Sequence, residues 1–258
     1  MRAGQVDTTI AGGIGWLIFD NPARRNAMTA AMWRQTAQAA AAFAENPAVR
    51  VVVMRGAGAE AFVSGADISE FEQARADSTG AQAYEAASAA AFAALEGLDK
   101  PLVAMIAGFC FGGGVAIAMK ADLRLAQHDA LFSIPAARLG IAYPPDSVRD
   151  LVGLVGPANA KDILFSARRF DAAEAWRMGL VNAVSAPGAL ATDVDALAAT
   201  LVENAPLSML AAKACVDHVA RGADDRAEAL VARCFDSADY AEGRRAFMEK
   251  RRPTFQGR

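Results

Sequence analysis

The run Cys110-Phe111-Gly112-Gly113-Gly114-Val115-Ala116-Ile117-Ala118-Met119 sets three consecutive glycines between two apolar flanks. Ahead of it, Lys100-Pro101-Leu102-Val103-Ala104-Met105-Ile106-Ala107-Gly108 reads as one buried strand entered through a proline turn. The alanine-rich sequence behind it favours a helix, so strand, glycine turn and helix are expected in that order. Glycine costs folding entropy, and three in a row belong where the backbone takes a conformation other residues resist, or where another group comes close. The first amides of such a helix have no acceptor within it, which suits a phosphate or a developing oxyanion. Val115 and Ala116 exclude the phosphate-loop pattern after the last glycine, and the dinucleotide pattern is absent here. An oxyanion hole remains, beside the structural alternative of close helix packing on a sheet.

The rest of the chain sets bounds on this reading. Its 258 residues suffice for one large domain, or one core with a small appendage, and 54% hydrophobic with 21% charged residues is globular composition. A net charge of −3 gives no reason to expect nucleic acid or an anionic membrane as partner. Cys110, Cys215 and Cys234 are odd in number and apolar in setting, so they are expected as reduced core residues of a cytoplasmic protein. Neither a membrane-length apolar run nor a signal-peptide pattern is present. No His/Cys grouping has metal-ligand spacing, G-x-S-x-G does not occur, and His128 and His218 are expected at the surface.

Val6 to Ala11 and Ile14 to Asp20 flank Gly12-Gly13 and read as a hairpin. Asn21 to Asn26 follows as a loop with Arg24 and Arg25, either a solvated turn or a phosphate site, since a guanidinium fork matches phosphate oxygens. Thr29 is a plausible N-cap for a helix that Pro47 ends, and Val49 to Gly56 is a buried strand. Ala61-Phe62-Val63-Ser64-Gly65-Ala66-Asp67-Ile68 leads into another helix, with Asp67 at its positive end as a cap or, alternatively, a catalytic acid. A cover over the site and a helix through Leu95 are expected within 70 to 97. Short strands are expected at Asp122 to Ala126 and Ala130 to Ser133. Tyr143-Pro144-Pro145-Asp146 forces a turn that can start a helix, and further helices are expected at 157 to 167, 171 to 178, Leu207 to Val219 and Asp225 to Ala238.

The segments 21–27, 61–68 and 110–119, in that order and spacing, resemble the enoyl-CoA hydratase/isomerase superfamily, the crotonases. Gly-Leu-Val at 179 to 181 and Glu-Gly-Arg-Arg-Ala-Phe-Met-Glu-Lys-Arg at 242 to 251 extend the resemblance from about Ile14 to the end. It implies an α/β crotonase (ClpP-like) fold of repeated β-β-α units over 1–195. It also implies a helical trimerisation region over 196–258, assembled as a homotrimer or a dimer of trimers. It implies an acyl-CoA substrate, with no cofactor beyond the coenzyme A that the substrate carries. The backbone N–H groups of Ala66 and Gly113 would form the oxyanion hole, while Arg24, Arg25, Ser64, Ala66, Asp67 and Ile68 would border the coenzyme A.

The departures from the family bear on the reaction. Hydratases of the family carry two glutamates that hold and activate water, and the matching positions here are Ala116 and Ala136. Methyl groups cannot take a proton, and such help is worth about 10²–10⁴-fold per group. Ordinary hydration is therefore not expected, whereas stabilisation of a thioester enolate is. Decarboxylation of a malonyl-type CoA needs no carboxylate base, and isomerisation is also compatible. Tyr143 stands three residues after Gly140, where methylmalonyl-CoA decarboxylase has a tyrosine, although that enzyme has histidine where this chain has Ala66. Asp146 falls within two residues of an aspartate of related isomerases and dehalogenases, with a helix cap as its alternative. A CoA-thioester binding protein without turnover is the rival function.

Overall fold

A computed structural model describes residues 3–67, 78–222 and 226–258. Two sheets share the strands. A six-stranded sheet runs β1(Gln5–Ala11), β2(Ile14–Asp20), β3(Val51–Gly56), β5(Leu102–Ile106), β7(Leu123–Gln127), β10(Ala183–Ser185) in spatial order, antiparallel only between β1 and β2. A four-stranded sheet runs β4(Ala61–Val63), β6(Phe109–Phe111), β8(Leu131–Ser133), β9(Phe170–Asp171), parallel through β8.

The chain alternates between them. A long strand enters the large sheet, a short one enters the small sheet, and a helix returns: β5, β6, then α3(Gly113–Met119), and β7, β8, then α4(Pro145–Ser166). The pair β3 and β4 precedes α2(Ser78–Glu96) in the same way. This is the expected β-β-α repeat.

Strands covered on both faces read as continuous apolar runs, and their period of two assigns each residue to one face. On β3, Val52 and Met54 enter the main core, whereas Val51 and Val53 enter a smaller cluster on the far face. On β5, Leu102, Ala104 and Ile106 face the main core and Val103 the smaller cluster. The helix α1(Ala30–Glu45) begins where Thr29 accepts a hydrogen bond from the Met32 N–H, and it buries Met32, Trp33, Thr36, Ala40 and Phe43.

Two expected elements differ. The segment 100–108 is not one strand leading to the glycines: β5 stops at Ile106, the chain bends at Gly108 with φ +59°, and β6 pairs in the other sheet. Apolarity alone does not distinguish one long buried strand from two short ones. The helix expected to start at residue 157 is the second half of α4, which starts at Pro145 and breaks at Gly156, where φ is +73°. Pro157 lacks an N–H, so it sits at the break without losing a bond it needs.

After β9 come α5(Ala172–Met178), β10 and α6(Leu190–Glu203). Leu190, Val194 and Ala198 of α6 cover the smaller cluster, so the division expected between 195 and 196 falls inside a helix packed on the large sheet. Beyond it lie α7(Pro206–Arg221), α8(Ala227–Phe235) and α9(Ala238–Glu249). Lys213 reaches Asp122 at 3.1 Å, and Arg50 bonds the Val202 carbonyl at 2.8 Å and the Phe255 carbonyl, tying this part to the core. Of the cysteines only Cys110 is fully buried; Cys215 and Cys234 are half-buried, because their helices have one outward face. No described helix is long and apolar enough to cross a membrane.

Candidate active site

Parallel strands end on the same side, and ligands of such sheets collect at their carboxyl ends. Here β4, β6 and β8 end side by side, and three loops leave them: Ser64-Gly65-Ala66, Gly112-Gly113-Gly114, and Ile134-Pro135-Ala136. Gly112 donates to the Ser133 carbonyl at 2.8 Å. It has φ +50° and ψ −113°, a conformation open in practice to glycine. Gly114 is required for another reason, since a Cβ there would lie 2.1 Å from the Val63 carbonyl oxygen as α3 packs on β4. The loops touch: a Cβ at Gly112 would lie 3.9 Å from Gly65 Cα, and one at Gly113 would lie 3.9 Å from Gly65 C.

The loop around Ala66 is held by its neighbours rather than by itself. Met28 donates to the Gly65 carbonyl at 2.8 Å, Asp67 to the Met28 carbonyl at 2.9 Å, and Ser64 to the Arg25 carbonyl at 3.1 Å. This parallel bridge occupies the Gly65 carbonyl and the Asp67 N–H on either side of Ala66 and skips the Ala66 N–H. Among the described residues, neither the Ala66 N–H nor the Gly113 N–H has an acceptor. The Gly113 N–H is one of the orphan donors of the first turn of α3, and the Ala66 N–H is the donor that the bridge to Met28 leaves over. Trp33, 2% exposed, packs against Gly113, and its indole N–H donates to the Tyr84 hydroxyl at 2.8 Å.

The chain belongs to the enoyl-CoA hydratase/isomerase family.

The family's sequence model matches residues 9–258. A crotonyl-CoA hydratase of Syntrophomonas wolfei subsp. wolfei is 33% identical over 243 residues, 93% of either chain. A carnitinyl-CoA dehydratase of Proteus mirabilis is 30% identical over 258 residues, 97% of either chain. Among solved structures, an enoyl-CoA hydratase/carnithine racemase from Magnetospirillum magneticum superposes with a TM-score of 0.94 at 32% identity, covering 100% of this chain and 97% of that one. The fold is that of the crotonases.

Within this family member, Tyr143 and Asp146 part company. The Tyr143 hydroxyl donates to the Gly112 carbonyl at 3.1 Å, on the glycine loop itself. Burial pushes its phenol far above the ordinary value, with Cys110 and Asp150 adding in the same direction. Asp146 sits in the first turn of α4 with its side chain 79% exposed, paired with Arg149 at 3.0 Å, and makes no side-chain cap. Ala116 and Ala136 are both buried. Asp67 is buried as well, while Ile68 and the helix expected to follow lie outside the described residues.

Arg24, Arg25 and Ser64 line one polar cleft of about 540 Å³, and a third guanidinium joins them from Arg169. Arg25 lies 4.9 Å over the Phe109 ring and pairs with Glu60 at 2.7 Å; Arg169 lies 5.4 Å over Phe111. Both sites are exposed, which keeps these contacts weak and the cations available. Sequence reasoning missed Arg169 because it stands 144 or more positions from Arg24 and Arg25, and the β8–β9 pairing brings it across. It also missed Asn26, 1% exposed, whose amide donates to the Ala57 and Ala61 carbonyls at 3.0 and 2.8 Å and so fastens the arginine loop to β4.

Among the described residues no group of His, Cys, Asp and Glu could hold a metal ion.

Proposed function

We propose that this protein acts on an acyl-CoA whose thioester oxygen sits between the Ala66 and Gly113 N–H groups, and that it stabilises the enolate formed there. The observation that carries the reading is that both amides lack acceptors among the described residues, while the Ser64, Asp67 and Gly112 N–H groups beside them are engaged. One such donor is worth about 10²–10³ in rate. Arg24, Arg25 and Arg169 are proposed to meet the nucleotide phosphates, and Ser64, Asp67 and Ile68 to border the coenzyme. Tyr143 and Asp146 are the side chains proposed to support the reaction at the acyl end, Tyr143 through its hydroxyl contact with the glycine loop.

The ordinary two-glutamate hydration is not part of this reading, because buried methyl groups stand at Ala116 and Ala136. Decarboxylation of a malonyl-type CoA fits better. The bond from the α-carbon to the carboxylate breaks, its electron pair enters the enolate, carbon dioxide leaves, and the α-carbon takes a proton from water. Isomerisation is the second compatible outcome. Assembly as a homotrimer or a dimer of trimers through the C-terminal helices belongs to the same proposal.

The test is turnover of crotonyl-, methylmalonyl- and 3-hydroxyacyl-CoA followed by mass spectrometry. Loss of carbon dioxide from methylmalonyl-CoA, with slow crotonyl-CoA hydration, is the expected result. Hydration at the rate of ordinary hydratases would overturn the argument from the alanines. The same two alanines favour a second reading, a thioester binding protein, which tight binding without any conversion would establish.

A further inference from the structure

We propose that Tyr143 is a positioning residue acting through the Gly112–Gly113 peptide unit rather than on the substrate. The Gly112 carbonyl and the Gly113 N–H are the two ends of one planar group, so a donor at the oxygen fixes the direction of the N–H at the other end. The structure supplies two donors to that oxygen, the Tyr143 hydroxyl at 3.1 Å and the Ala116 N–H at 3.2 Å. The Gly112 N–H, bonded to Ser133 at 2.8 Å, holds the preceding peptide. Donation to a carbonyl also polarises its amide and strengthens the N–H as a donor.

Two features suit Tyr143 to this task. A carbonyl oxygen only accepts, so the single phenolic proton is committed to Gly112. Tyr143 stands just ahead of α4, and Asp150 on that helix pairs at 2.8 Å with Lys120, the residue capping α3. The hydroxyl is thereby carried on an element fixed to the helix whose first residue is Gly113. Only the consequence for catalysis rests on the proposed thioester reading; the polarised peptide is a property of the free protein.

The sequence offers a selective probe. Gly–Gly junctions occur only at 12–13, 112–113 and 113–114. Protein grown with carbonyl-¹³C and amide-¹⁵N glycine therefore gives three correlated signals. In Tyr143→Phe, which keeps the ring and its ring current, the 112–113 signal is expected to move upfield in both ¹³C and ¹⁵N while the 12–13 signal stays. Replacing Tyr143 with 3-fluorotyrosine, a stronger donor, is expected to move it downfield, and this arm holds should the phenylalanine variant fold poorly. An unmoved 112–113 signal in either folded variant overturns the proposal. Calorimetry with butyryl-CoA separates the two readings: absent binding to the wild type contradicts the thioester site, whereas retained binding with a smaller kcat and an unchanged KM in Tyr143→Phe is the expected catalytic signature. A raised KM with unchanged kcat would contradict a role in polarising the thioester.

Discussion

Neighbouring glycines in the triplet answer to different constraints. Gly113 has room: an added methyl group would meet the Trp33 ring at 3.6 Å, ordinary contact. Gly114 has none, because the same methyl would meet the Val63 carbonyl oxygen at 2.1 Å. Overpacking of this kind costs about 1–3 kcal/mol or more when the obstacle is backbone. Gly113→Ala is thus expected to unfold in urea within about 1 kcal/mol of the wild type, the cost or gain of a glycine change at a tolerant position, whereas Gly114→Ala loses more than twice that. Equal losses would show that the helix does not approach β4 as described. Cys110, beneath the same loop, supplies a pH test. Burial raises its thiol well above 9.0. The folded state then keeps a proton that the unfolded chain gives up as pH rises past that value, so stability is present below pH 9 and declines above it. Tyr143 adds a like decline above 10. Cys110→Ala is expected to flatten the fall in unfolding free energy between about pH 9 and 10, and an unchanged slope would contradict its burial.

At the scale of elements, the site is framed by a buried ionic group that joins three helices. Lys120, at the end of α3, reaches Asp150 of α4 at 2.8 Å and Glu96 of α2 at 2.9 Å; its side chain and that of Asp150 are 5% and 6% exposed, that of Glu96 43%. Removing one member of a buried pair leaves a charge in low dielectric and costs about 3–5 kcal/mol, whereas an exposed pair contributes about 0–1 kcal/mol. Asp150→Ala is therefore expected to lower urea stability several times more than Glu96→Gln, and comparable losses would refute the difference in burial. This group was not legible in the sequence, since it joins residues 24 to 54 positions apart with no motif to mark them. What was legible followed from local rules. The hairpin around Gly12-Gly13, the Thr29 cap and the two short strands expected at Asp122 to Ala126 and Ala130 to Ser133 all leave turn, cap and period signals within a few residues. The division of 100–111 into β5 and β6 leaves none, because both pieces are apolar and buried. Of the proposed site, the glycine run implied a helix start with free amides, whereas the choice of Ala66 and Gly113 as its donors came from the resemblance to the family. Arg169 and the hydroxyl contact of Tyr143 depend on which strands and helices meet.

For the whole molecule, the two sheets divide the work. Both sheets contribute side chains to the core, and the carboxyl ends of the small sheet alone present the loops of the candidate site. The polar cleft brings three cations from two places in the chain, with Arg169 arriving beside the antiparallel β8–β9 pair of the small sheet. A hydrogen bond to a charged group contributes about 1.5–3 kcal/mol, so Arg169→Ala is expected to weaken butyryl-CoA binding by about tenfold or more. The wild-type affinity should also fall as salt is raised. Calorimetry at two salt concentrations checks both, and a salt-independent affinity would place the phosphates elsewhere. The proposed function makes its strongest demand on the two unengaged amides, which under it grip one carbonyl together. The direct measurement is the infrared stretch of a ¹³C-labelled thioester carbonyl in bound butyryl-CoA. A shift to lower frequency than in free solution, reduced when either loop is disturbed, is predicted; a bound carbonyl vibrating as it does in water would contradict the account.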